Sequence, residues 1–303
     1  MLVSRWPVVP LADVLGGGGF TRWLEDITLG RLLLDPDHGY IVTKMDLGHP
    51  SVRAVSNDRV GASGAIDTTA FHSSRAVTLE VSCFDTDQLS RRDVIARLRA
   101  YTSPGRRPAL VWQEDDGVDR RVLVRGDSTG WALEKAGLGA AVSVQVAFVA
   151  PDGVLETLAQ TTADVSALPT PGAGLGFPVT LPTAFPKTST YNTTRVMNNG
   201  TEAAPPVFQL WGPCTSPLLL NLSTGQRLSL PGLTLTAQQY AEVDVANATI
   251  LLNGRPAESL YAYQEWGVSS FFWLAPGRNL LRYTPASFSE DAHAVVRFRE
   301  RSI

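Results

Sequence analysis

Residues that usually carry chemistry are scarce in this chain. Its 303 residues hold two cysteines, three methionines and four histidines. Cys83 and Cys214 lie far apart with no Cys-x-x-Cys spacing, so a disulfide framework and a thiolate metal cage are both excluded, and free thiols are expected. The histidines His38, His49, His72 and His293 form no His-Glu-x-x-His or His-x-His pattern, which leaves no ligand set for a catalytic metal. No apolar run approaches the ~20 residues needed to cross a bilayer. Pro7 and Pro10 interrupt the only candidate for a secretory leader, so synthesis in a cytoplasm is expected. Neither charge sign dominates: 26 basic residues face 29 acidic ones, too even a balance to draw the chain onto nucleic acid or an anionic membrane.

What the chain does contain is turn punctuation and alternation. There are 26 glycines and 20 prolines, a supply that favours short strands over long helices. Apolar residues fall on every second position in Val77–Cys83, in Val142–Phe148 and in Ala292–Phe298, the period of a strand with one buried face. Leu110–Trp112 and Val122–Val124 flank Asp116-Gly117, a pair suited to the positive φ of a tight hairpin. One helix is predicted over residues 90–101. Ser90 and Asp93 sit at capping-box spacing, Val94, Ile95, Leu98 and Tyr101 share a face, and Arg91, Arg92, Arg97 and Arg99 occupy the rest. In the second half, strands are expected at 218–220, 239–245, 249–252 and 271–274, punctuated by Asn221–Gly225 and Asn253-Gly254. Leu274, Leu280 and Tyr283, which bracket the Pro276-Gly277 turn, are expected in the core.

Charge changes along the chain. Residues 1–160 carry 17 basic and 20 acidic side chains and the remainder 9 of each. Residues 161–187 are crowded with proline and glycine. The division expected is therefore 1–160, a linker at 161–187, and 188–303, all mainly β, with a β-sandwich and one helix in the first part and a second β-sandwich in the last.

No arrangement of residues demands catalysis. Glu114, Asp115, Asp116 and Asp119 could attract calcium but lie on the hairpin turn, where acids are common anyway. Glu242 and Asp244 share a strand face at a spacing that could serve glycoside hydrolysis, yet alternation alone turns them to solvent. Trp211, Trp266 and Trp273 are a candidate glycan platform, weighed against the commoner use of tryptophan in cores. The reading is of a non-enzyme with no catalytic, cofactor or metal site.

The order of the motifs resembles that of distal tail proteins of long-tailed bacteriophages. A strand from Tyr40 ends in Asp46-Leu47-Gly48-His49-Pro50. A loose loop with Gly64 and Asp67 follows, then Arg75-Ala76-Val77-Thr78-Leu79, the helix, Pro108-Ala109-Leu110 and the charged hairpin. In the second half come Asn198-Asn199-Gly200-Thr201, Asn221–Gly225, Asp244, Asn253-Gly254 and Leu274-Ala275-Pro276-Gly277-Arg278-Asn279. The resemblance implies a virion protein made in the host cytoplasm, a homohexameric ring between the tail tube and the tail hub with its receptor-binding or fibre proteins. It implies no membrane insertion, and no nucleic acid contact beyond DNA passing through the ring. The C-terminal sandwich would be galectin-like or carbohydrate-module-like and point outward. Asp67, Arg75, Arg91, Arg92 and Arg97 are the expected subunit contacts. The competing reading is a tail protein that binds or degrades host surface glycans.

Overall fold

The structure, a computed structural model, describes residues 22–53, 57–59, 63, 65–66, 71–134, 141–167 and 193–303. The chain divides into two compact units, Met1–Leu155 and Glu156–Ile303, each with its own core. It is mainly β, with one α-helix among the described residues.

In the first unit, β1 (Arg22–Asp26), β2 (Gly30–Leu33), β3 (Tyr40–Asp46), β4 (Arg75–Phe84), β5 (Ala109–Gln113), β6 (Asp119–Leu123), β7 (Arg125–Glu134) and β8 (Ala141–Ala150) follow one another, with α1 (Arg91–Tyr101) between β4 and β5. Strands β2, β1, β5 and β6 lie side by side in that order, and β7, β8, β4 and β3 form a second antiparallel sheet. The alternation read from the sequence sets the inner face: Val77, Leu79, Val81 and Cys83 from β4 join Val144, Val146 and Phe148 from β8 in the core, opposite Leu24, Leu110 and Trp112. Helix α1 adds Val94, Leu98 and Tyr101. Its start is built as the sequence suggests. The Ser90 hydroxyl donates to Asp93 at 2.6 Å and accepts from the Asp93 N–H at 3.4 Å, satisfying an N–H that the first turn leaves unpaired. Burial pushes the Cys83 thiol up to about 11, so this sulfur stays protonated and unreactive.

The Asp46–Pro50 motif is a turn lock. The Gly48 N–H donates to the Asp46 carboxylate at 2.9 Å. Gly48 has φ +54°, and a Cβ there would stand 2.5 Å from the Ala76 carbonyl oxygen, so the chain can reach β4 only with glycine at this point. The segment after it differs from expectation. Rather than a loose loop, Val52–Arg53 pairs with Phe71–His72, and Asn57–Asp58 with Ala65–Ile66, as two short antiparallel ladders. β-Branched and aromatic residues at 52, 66 and 71 support pairing that the polar residues around them obscured. Gly64 lies outside the described residues.

In the second unit, β9 (Thr161–Ser166), β10 (Thr194–Asn198), β11 (Val207–Trp211), β12 (Leu218–Asn221), β13 (Arg227–Ser229), β14 (Tyr240–Asp244), β15 (Thr249–Leu252), β16 (Gly277–Tyr283) and β17 (His293–Phe298) build two facing sheets. One has the order β9-β17-β11-β14-β15 and the other β10-β16-β12-β13. Phe208, Leu210, Val243, Ala294 and Val296 from the first meet Val196, Leu219, Leu281 and Tyr283 from the second. This is a sandwich.

Three expectations need correction here. Residues 161–166, read as the start of a linker, are strand β9, paired with β17 from Thr161↔Phe298 to Ser166↔His293. Thr and Val supply β propensity there, and the prolines begin only at Pro169, so a single composition window merged two regimes. The remainder of the expected linker, from 168, lies outside the described residues. Residues 271–274 form no strand but a loop with a single bridge, Leu274↔Ala204. In β16 the buried positions are Asn279, Leu281 and Tyr283, while Leu280 is half-buried. A buried asparagine took the inward phase that an apolar count gives to Leu280.

Leu281→Ala should therefore destabilise this unit by about 2–5 kcal/mol, and Leu280→Ala by less than about 2 kcal/mol. Urea unfolding of the two variants checks the order. Equal losses would place both side chains on the same footing and contradict the register.

Candidate functional site

In the first unit, α1 presents a shallow groove of about 670 Å³ bordered by Asp85, Arg91, Arg92, Ile95 and Arg99. Of the arginines read as subunit contacts, Arg91 and Arg92 thus stand together with Arg99. Arg97 is exposed but lies off the groove. Asp67 lies outside the described residues. Arg75 is not a surface residue: it is buried, and its Nε donates to the Gly153 carbonyl at 3.0 Å. Arg75 pairs with Ala150 across β4 and β8, so this guanidinium holds the turn that follows β8. Burial lowers its pKa. A lone arginine opening an apolar strand reads as exposed in sequence because the carbonyl that accepts from it lies 78 positions away.

A second surface feature escaped the sequence reading. The β1–β2 turn places Ile27 fully in solvent and leaves Leu29 exposed. Buried Asp26 accepts from the N–H groups of Thr28 and Leu29 at 2.9 and 3.0 Å and from Arg106 at 2.9 Å. The Tyr101 hydroxyl, on the last turn of α1, donates to the carbonyls of Leu29 and Gly30 at 3.3 Å. Asp-x-Thr was the available signal, since an aspartate that accepts from the next N–H groups makes an Asx turn. Burial would raise the Asp26 pKa, but the two N–H groups and the Arg106 guanidinium outweigh it and hold it below the usual carboxylate range.

The acidic hairpin carries its own counter-ion. Arg120 pairs with Glu114 and, at 3.2 Å, with Asp116.

In the second unit the three tryptophans are separate. Trp211 is flanked by Tyr240 at 4.4 Å and by His293 at 5.8 Å with nearly parallel planes. Trp273 lies under Arg301 at 5.3 Å. Trp266 is 67% exposed and meets Tyr261 edge-on. No two of the three rings stack on one another. Glu242 accepts from Gln209 at 2.9 Å, and Asp244 accepts from the backbone and side chain of Asn247. The two acids therefore serve separate structural hydrogen bonds.

The asparagine motifs share one role. Asn221 donates to Asn279 Oδ1 at 3.1 Å, while Asn279 donates to the Ala275 carbonyl at 2.8 Å and accepts from the Ala275 N–H at 3.2 Å. Asn198 donates to the carbonyls of Glu202 and Leu274 at 2.9 and 3.1 Å. All three are buried. They pin turns, not ligands. Cys214 is buried with its Sγ 3.2 Å from the Tyr283 hydroxyl. Burial raises its pKa and the tyrosine partly offsets this.

Asp26→Ala should cost about 2–3 kcal/mol at neutral pH, since bonds to a charged acceptor are lost. Because the folded pKa is depressed, that stabilisation is present above about pH 4 and fades as pH falls through the lower folded value. Thermal melts of the two proteins should differ by a constant amount between pH 5 and 8 and converge on acidification. A gap that widened in acid would contradict the ion pair.

Comparison with known proteins bears on these features. Residues 199–301 match the family described as siphovirus-type tail component, C-terminal domain, a span that includes Asn221, Asn279 and strands β11 to β17 of the second sandwich. No curated protein sequence matches the chain. In fold, the chain is similar to the SPP1 Dit protein, described as a paradigm of the hub adsorption apparatus in phages infecting Gram-positive hosts. The two are 15% identical, with a TM-score of 0.64 over 94% of this chain and 100% of that one. It is also similar to a chain of the phage p2 baseplate in its activated conformation, 9% identical, with a TM-score of 0.50 over 93% of this chain and 98% of that one. The domain match and the likeness in fold along the chain together bear out the resemblance to a siphovirus distal tail protein.

Proposed function

We propose that this chain is a structural virion protein, a homohexameric ring at the distal end of a siphovirus tail that joins the tail tube to the hub and its receptor-binding parts. The observation that carries this reading is the coincidence of a tail-component domain at 199–301 with a likeness of fold to SPP1 Dit along 94% of the chain. The first unit forms the ring, and the second, a galectin-like sandwich, faces outward as a docking module. The protein performs no catalysis, which agrees with Glu242 and Asp244 being engaged in separate hydrogen bonds.

The paired segment between Val52 and His72 supports the ring. Its two ladders join no other sheet among the described residues. Val52 and Phe71, directly on it, are 60% and 58% exposed. Apolar side chains held out on a narrow ribbon gain most from a neighbouring copy that covers them. Arg91 and Arg92, on the α1 groove, and exposed Arg97 are the remaining subunit contacts in this reading.

Purified protein imaged by negative stain, or weighed by mass photometry, should give six-fold rings. Deleting residues 56–70 should leave a folded monomer. Intact rings from the deletion would contradict the role of the arm, and a wild-type monomer at micromolar concentration would contradict the ring itself.

A further inference from the structure

The turn between β5 and β6 is built to hold its shape. The Glu114 N–H donates to the Val118 carbonyl at 3.0 Å, and the Gly117 N–H to the Glu114 carbonyl at 2.9 Å. The Val118 N–H donates to the Asp116 carboxylate at 2.8 Å, and the Gln113 amide to the Gly117 carbonyl at 3.3 Å. Arg120 braces Glu114 and Asp116 from the strand behind. A surface turn bonded this fully has little freedom left to lose when something seats on it. At its tip Val118 is 39% exposed, and Asp115 lies open beside it. From Glu114 to Arg121 four acids stand against two arginines. The turn is an acidic knob with an apolar point.

Helix α1 offers the opposite surface. Arg92, Ile95, Ala96 and Arg99 recur at i, i+3, i+4 and i+7, so they share one face. All four line the groove together with Arg91. A rise of about 1.5 Å per residue sets Arg92 and Arg99 about 10 Å apart along the axis, with Ile95 and Ala96 between them. The nearby acids are committed to the start of the helix. Asp85 accepts from the Arg91 N–H at 2.6 Å, and Asp93 accepts from the Ser90 hydroxyl. Among the described residues neither Arg92 nor Asp115 has an ion-pair partner.

Knob and groove match in layout as well as in sign. The groove is apolar in its middle and cationic at its ends; the knob is apolar at its point and acidic around it. Because the two surfaces differ, a contact between copies is head-to-tail, the kind that closes into a ring. Charges around such a contact set partner choice and register more than affinity, while the exposed side chains of the 52–72 ribbon supply apolar area. We propose that the Glu114–Asp119 turn of one copy seats in the α1 groove of the next. Val118 then lies against Ile95 and Ala96, and Asp115 beside Arg92. This contact presupposes the ring and names the surface that the α1 arginines meet.

Paired cysteines in the full-length protein test it. Arg92→Cys/Asp115→Cys, oxidised, quenched with an alkylating agent and run on a non-reducing denaturing gel, should give a ladder of covalent multimers. Each single variant should run as a monomer, since Cys83 and Cys214 are buried, and the two singles mixed should stop at a dimer. Mass photometry then checks the sign. Arg92→Glu or Asp115→Arg should weaken the ring at least about tenfold, and Arg92→Glu/Asp115→Arg should recover most of that loss. Far-UV circular dichroism should be the same for all of them. Wild-type rings with no ladder from the double-cysteine variant, or with undiminished assembly of Arg92→Glu, would overturn the contact and leave the ring standing. Covalent dimers from either single variant would also overturn it, since they report a symmetric contact. A wild type that never self-associates would overturn the ring and this contact together.

Discussion

The C-terminal sandwich depends on a short chain of buried amide contacts at one end of its four-stranded sheet. Asn221 on β12 reaches diagonally to Asn279 on β16, and Asn279 closes both hydrogen bonds with the Ala275 backbone. A buried amide left without partners would cost about 1–3 kcal/mol, whereas the satisfied network restrains two turns at once. Because Asn279 takes an inward position in β16, the network also sets which residues of that strand face the core. Asn198 performs the same service at the neighbouring strand end through Glu202 and Leu274. The family match at 199–301 thus covers turns that the Asn221 and Asn279 side chains hold.

The first unit solves the corresponding problem with glycine and a guanidinium. Gly48 lets the backbone pass close to Ala76, and Arg75 reaches the Gly153 carbonyl from inside. Both act on the N-terminal end of β4, the strand flanked by β8 on one side and β3 on the other. From that end β4 commits a continuous row of four apolar residues to the core, and α1 adds Val94 and Leu98 to it.

Much of this was legible in sequence where local chemistry is self-sufficient. The period-two rows at 77–83 and 144–148, the Ser90–Asp93 cap and the Asp116-Gly117 hairpin each depend on residues within a few positions of one another. The failures share a different cause. Arg75 and Leu280 were misplaced because their burial is set by partners far along the chain, Gly153 for one and the Asn221–Asn279 pair for the other. The strand at 161–166 was hidden by the prolines that follow it. The three tryptophans of the expected platform do not meet: Trp211 is enclosed by Tyr240 and His293, Trp273 lies under Arg301, and Trp266 meets Tyr261 edge-on.

Strand β9 has a consequence for how the chain can be cut or extended. It enters the second sandwich before the proline-rich stretch, contributes Val165 to the core, and accepts from the Thr194 hydroxyl on the far side of that stretch. The residues on both sides of that stretch are therefore held in the same unit. A nick there would yield fragments that remain joined through the β9–β17 ladder, as in a split protein reconstituted from its halves. A guest domain inserted there would hang from the second sandwich, anchored on both sides by β9 and β10.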